Sequence, residues 1–399
     1  MKRTKLKFSL FSILAMLTIA VFVTSCEQDD LELEKEKTEF IELDKMFNNY
    51  EILEIDNAPI WNSVKSQLGG KIMLDLGALT EHSSLADLSF DLNRIEVETE
   101  DFKMILVGKD NKLEEVEPVE THVLVGNLKN QQGRVMLGIT ENDFRTEVMI
   151  NEEIYRIEPL KDFLQNATAT QYIKYKSDDE VKQNQSCGEN SENDGIEVNE
   201  QNINSRNAID YVEITAIGDY DLHRKYWNTS YAFSWMYWRM VNGGLRYDHY
   251  NNFPVRFRIK AYYLYTWPSY IATQVNDGNL FLDQWRNFLK LNSWINYGDV
   301  NLLFTGKNTF DQYGNDIIGL AYHSTICSNI VGSAACYVEH QWSTYMSDNV
   351  VAHEVGHILG HPGHFPFGFM REDGGDWQMA GYSKTQIENH LVNNSNCLY

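Results

Sequence analysis

The sequence predicts a two-part chain: a mostly β segment followed by an α/β layer in which strands and helices alternate. Three observations carry this. Short runs between residues 46 and 165 alternate apolar and polar residues, broken by Gly, Asn and Asp turns, which is the period of half-buried strands. Residues 176–206 are polar and carry no aromatic residue, as an exposed linker does. From residue 211 onward short apolar strands alternate with longer helical stretches. At 399 residues the chain is long enough for two cores, and no internal repeat is visible.

In chain order, residues 1–8 (MKRTKLKF) are basic, residues 10–23 are apolar, and Thr24, Ser25 and Cys26 follow. This layout reads as a secretory signal over residues 1–25, with an apolar run too short for a transmembrane helix. Residues 23–26 (VTSC) resemble a bacterial lipobox, in which Cys26 becomes the acylated first residue. The acidic Glu27, Asp29 and Asp30 then resemble the start of exported surface lipoproteins. A lipid anchor on Cys26 is expected, with a place at the outer membrane or cell surface, or on its periplasmic face. Residues 26–45 are rich in Glu, Asp and Lys and read as a charged tether.

Residues 46–175 then read as the β domain, with strands at 102–107 (FKMILV), 134–139 (RVMLGI), 148–150 and 154–157. Residues 176–206 form the linker and contain Cys187. In residues 207–399, strands are expected at 211–217 (YVEITAI), 255–261 (VRFRIKA), 300–305 (VNLLFT) and 317–322 (IIGLAY). Helices are expected at 230–241, ended by Asn242, Gly243 and Gly244, and at 281–291, 348–360 and 384–393.

The net charge of -23 and pI of about 4.8 argue against nucleic acid as a partner, because phosphate binding needs clustered Lys and Arg. Four cysteines follow Cys26: Cys187, Cys327, Cys336 and Cys397. Disulfides persist in an exported chain, and four cysteines allow three full pairings.

Residues 351–364 read VAHEVGHILGHPGH. On a helix, His353 and His357 lie one turn apart on the same face and can hold one zinc ion, with Glu354 beside them as general base. Val351, Val355, Ile358 and Leu359 fall on the opposite side, separating a metal face from a core face. A catalytic zinc needs a third protein ligand. Gly360 can take a left-handed conformation and turn the chain back. His364, beyond Gly360, Pro362 and Gly363, is therefore favoured over His361, which continues the straight helical row.

Residues 300–360, with VNLLFTG, GLAYHSTIC and VVAHEVGHILG, resemble the reprolysin (adamalysin) family of metzincin zinc peptidases. The likeness extends from about residue 207 to the C-terminus. It implies a metzincin-like α/β (α+β) catalytic domain with a twisted mixed sheet and a zinc helix. Residues 133–160 resemble the end of that family's propeptide, which implies a mostly β propeptide domain before it. The resemblance further implies a zymogen in which Cys187 blocks the zinc, and an edge strand of Gly319, Leu320, Ala321 and Tyr322 that pairs with substrate. It implies a disulfide between Cys327 and Cys397, with Cys327 to Cys336 as rival, and a calcium site at Glu213 and Asp299. Two features depart from the family pattern. Its final histidine position holds Gly363, so His364 comes one residue late, and both Met370 and Met379 compete for the methionine turn beneath the zinc.

The expected activity is zinc-dependent endopeptidase action on protein or peptide substrates, made as a lipid-anchored precursor. The rivals are a catalytically weak zinc-binding, adhesin-like surface lipoprotein and a zinc hydrolase of a non-peptide substrate.

Overall fold

The computed structural model describes residues 42–67, 72–75, 89–129, 133–164, 166–181, 186–188, 210–226, 228–268, 275–326, 332–341, 343–364, 368–371 and 377–393. The expected signal, Cys26, Cys327 and Cys397 lie outside the described residues, as do most of the tether and linker.

The N-terminal half runs β1 (Tyr50–Glu54), α1 (Asn57–Ser66), β2 (Ile72–Asp75), β3 (Ser89–Ile95), β4 (Glu98–Val107), β5 (Leu113–Val116), β6 (Thr121–Leu128), β7 (Gly133–Thr140), β8 (Phe144–Ile150), β9 (Glu153–Pro159) and β10 (Gln171–Lys176). The C-terminal half begins with β11 (Asp210–Gly218), α2 (Tyr220–Tyr226), α3 (Thr229–Leu245), α4 (Asp248–Asn251), β12 (Val255–Tyr265), α5 (Gly278–Leu291) and β13 (Val300–Thr305). It ends with β14 (Thr309–Phe310), β15 (Asp316–Ile317), β16 (Gly319–Ala321), β17 (Ala335–Glu339), α6 (Thr344–Ile358) and α7 (Gly381–Asn393). The chain is thus a mixed α+β protein, and no helix among the described residues is long and apolar enough to cross a membrane.

Eight antiparallel strands make the first sheet, in the order β1-β10-β9-β8-β7-β6-β3-β2. Alternation along β7 explains why it is buried on both faces. Val135, Leu137 and Ile139 meet Ile60, Trp61 and Val64 of α1 in one core, while Met136 joins the core of the C-terminal half. Gly138 lies on that second face under Trp238, where a Cβ would come within 1.9 Å of the indole.

The second sheet has the order β16-β17-β13-β11-β12-β4-β5. Its five inner strands are parallel, and β16 and β5 close the two edges antiparallel. Phe281, Leu282, Trp285 and Leu289 of α5 cover one face. Helices α3 and α6 cover the other, over Ile214, Ile259, Leu302 and Val338. Each such fully buried side chain contributes about 1.5–3 kcal/mol.

Three features differ from the sequence reading. The run 102–107, placed in the first domain, instead belongs to β4, which pairs in parallel with β12 of the C-terminal half. Alternation specifies a strand and its two faces, but not its neighbour. Secondly, Gly243 and Gly244 do not end a helix, since α3 runs on to Leu245. They serve close packing: a Cβ on Gly243 would lie 2.7 Å from the Val351 side chain, and one on Gly244 3.1 Å from Phe257. Thirdly, α6 begins at Thr344, capped by the Ser343 hydroxyl accepting from Met346 N at 2.9 Å, four residues before the expected start.

Candidate active site

Helix α6 is buried along nearly its whole length, so His353, Glu354 and His357 are fixed by packing on every side. The helix ends at a turn that reverses the chain. Gly360 N donates to His357 O at 3.1 Å and His361 N to Gly356 O at 3.0 Å, the paired bonds of a Schellman motif. Gly360 has φ +114°, and a Cβ there would lie 2.3 Å from that of His390. Two constraints therefore require glycine.

The turn brings His364 back to the helix. Ligand atoms of His353, His357 and His364 all lie within 4.8 Å of one another. His353 Nδ1 faces Phe369 O at 2.7 Å and His357 Nδ1 faces His361 O at 3.0 Å. A carbonyl accepts only, so both Nδ1 atoms carry the proton and both Nε2 atoms keep a lone pair. Those two Nε2 atoms stand 2.9 Å apart. Two lone pairs converging in a buried pocket repel each other unless a cation sits between them, so the donor set fits a zinc ion. Burial lowers the pKa of both rings well below the ordinary histidine value, with neighbouring histidines adding to it. The neutral, ligating form is thereby favoured.

His361 takes a different part. Its carbonyl orients His357, while its ring centre lies 6.1 Å from that of His357 and 6.4 Å from Tyr382. Met370 is buried beneath the helix, and a Cβ on Gly356 would come 2.7 Å from its sulfur. Met379 is only partly buried and its N–H donates to Asn251 Oδ1 at 2.8 Å.

Glu354 is fully buried. Burial pushes its pKa well above the usual carboxylate value, and the adjacent Cys187 thiol pulls it partly back. Its carboxylate lies against the edge strand, since a Cβ on Gly319 would be 2.5 Å from Oε1. Cys187, expected in an exposed linker, is 2% exposed. Its sulfur groups with ligand atoms of His353 and Glu354 within 4.8 Å. It is held there by strand pairing: Gly188 N donates to Gly319 O at 3.1 Å and Ile318 N to Ser186 O at 3.0 Å. The segment runs parallel to the edge strand and occupies the outer side of β16 that the sequence reading reserved for substrate.

Two further expectations meet the structure here. Glu213 and Asp299 do meet, Glu213 N donating to Asp299 Oδ2 at 2.8 Å, but the Lys260 ammonium takes the Glu213 carboxylate at 2.6 Å. With the ammonium on that carboxylate, the pair does not by itself offer the six to eight oxygens that calcium takes. Cys336 is buried in β17 outside any disulfide, which removes the rival pairing.

One residue the sequence reading passed over is His323, two positions beyond β16. Its ring stacks on His357, with centres 4.4 Å apart and planes 11° from parallel. A histidine just after a predicted edge strand was the available signal.

Residues 224–364 match the family model described as metallo-peptidase family M12, of the reprolysin type. This region is reprolysin-like. The match ends on His364 and spans all three histidines and Glu354. M12 peptidases use zinc, in keeping with the converging Nε2 atoms. No curated protein matches the chain. Cys187, Glu213, Met370 and Met379 fall outside the reprolysin-like match.

Proposed function

We propose that the protein is a zinc endopeptidase held latent by its own Cys187. The observation that carries this is the convergence of His353, His357 and His364 beside a buried carboxylate, with both helix histidines anchored through Nδ1. Zinc bound there would acidify a water and polarise the scissile carbonyl.

The chain's own residues supply the rest. Glu354 takes the proton of the attacking water and hands it to the leaving amine. Gly319, Leu320 and Ala321 offer backbone groups to an extended substrate by strand addition. Met370 supports the helix from below. Cys187 stands against both His353 and Glu354, so one thiol obstructs the metal side and the base together. Export and acylation at Cys26 belong to the same reading and rest on residues 1–26.

The test is peptide cleavage by the zinc-loaded chain carrying Cys187→Ser, with and without Glu354→Gln. The carboxamide should cost roughly a thousandfold in kcat/KM while zinc content stays the same. Unchanged cleavage in Glu354→Gln would exclude Glu354 as the base.

A further inference from the structure

We infer that residues 42–181 are a permanent half of the folded enzyme, not a propeptide to be shed. A cut between the halves would leave two fragments bound to each other. The association stands on contacts between the halves, and only its consequence for activation rests on the peptidase reading.

Three independent contacts join the halves. The first is backbone pairing: β4 lies beside β12 from Glu98 opposite Ile259 to Val107 opposite Tyr265, and β5 closes that edge. Losing the N-terminal half would expose the length of β12 as an unpaired apolar edge.

The second is apolar. Val97, Val123 and Met136 share one core with α3, α6 and the second sheet. Ile105 and Val107 share another with α5.

The third is electrostatic. Three carboxylates (Glu147, Glu158, Asp348) and three guanidiniums (Arg156, Arg239, Arg246) form one cluster, each at most 1% exposed. Arg156 of β9 reaches Asp348 of α6 at 2.6 Å and Thr344 Oγ1 at 3.2 Å. Arg246 at the end of α3 binds both oxygens of Glu147 of β8. Thr344 Oγ1 donates to Glu158 at 2.6 Å. Of these six groups the N-terminal half supplies two carboxylates and one guanidinium, and the C-terminal half supplies the reverse. Neither set is neutral without the other, and a buried charge stripped of its partner is strongly unfavourable.

The consequence concerns latency. Cys187 lies on the N-terminal side of the masking segment's end, so a cut beyond residue 189 leaves it attached to the half that stays bound. Such a cut alone would not unblock the site, whereas removing the thiol would.

The experiment uses the full chain with an N-terminal tag and a site-specific protease sequence inserted between residues 190 and 205. After complete cutting, both fragments should elute together at the volume of the uncut protein. They should stay together at high salt and separate only in denaturant. Release of either fragment under native conditions, soluble or aggregated, overturns the inference. Peptide cleavage is then read on the cut complex with and without Cys187→Ser. Activity appearing on cutting alone would overturn the latency consequence. Co-elution with zinc bound and no cleavage in either form would leave the association standing and count against the peptidase reading instead.

Discussion

Single side chains decide the geometry of the site. Gly319 is small because the Glu354 carboxylate and Val350 leave no room for a Cβ, which would meet them at 2.5 and 2.8 Å. Gly319→Ala is therefore expected to displace Glu354 without touching the histidines. A shift of about an ångström costs roughly a hundredfold in rate. The prediction is a fall of that size in kcat/KM of the Cys187→Ser form, at unchanged zinc stoichiometry. Zinc loss in parallel with activity would show that the substitution acts on the ligands instead. The pair His353 and His357 was legible at this scale because an i, i+4 spacing places two rings on one helix face. The stacking of His323 on His357 was not, because a histidine after an edge strand marks a candidate but does not name its partner 34 positions away across the fold.

At the scale of elements, α6 is the junction of the molecule. Its C-terminal half carries the histidines and its N-terminal turn carries Thr344 and Asp348, which meet β9 and α3. The early start of the helix was not legible because residues 344–347 (TYMS) show no apolar repeat at helical spacing. Thr344, Asp348 and Asn349 instead bond to the buried ionic cluster. Asp348 accepts from Arg156 and Asn242 and pairs with Arg239 at 3.0 Å. Asp348→Ala would leave buried guanidiniums short of a partner, at a cost of roughly 3–5 kcal/mol. Urea denaturation of the full chain reads this directly. A loss below that of an ordinary surface substitution would mean the cluster is not a structural anchor.

Across the whole molecule, the junction between halves also sets a pH response. Glu180 is buried beside Ser343, the cap of α6, with Arg156, Glu158 and Tyr175 around it. Burial is the largest influence and raises its pKa from its ordinary 4.5 to about 7, against Arg156 and Ser343. The folded chain thus holds this proton more tightly than the unfolded one. Its contribution is full below the unfolded value and is lost as pH rises through 7, a swing of roughly 3 kcal/mol. Glu180→Gln should flatten stability measured by urea denaturation between pH 5 and pH 8, up to about that amount. An unaltered slope would place the titration elsewhere.

Local pattern was enough for the histidine helix, its two histidines and glutamate, strands β4, β7, β8, β9, β11, β12 and β13, and the glycine that turns the chain after the helix. Each is written within one or two turns of backbone, where side-chain spacing dictates which face a residue occupies. The same glycine turn already favoured His364 over His361, but folding had to seat Met370 rather than Met379 beneath the helix and bury Cys187 against Glu354. It also had to move β4 into the C-terminal sheet and close the charge cluster. These depend on partners far away in sequence, 192 residues apart for Arg156 and Asp348. Burial, which makes such contacts strong, acts only once the chain has brought the partners together.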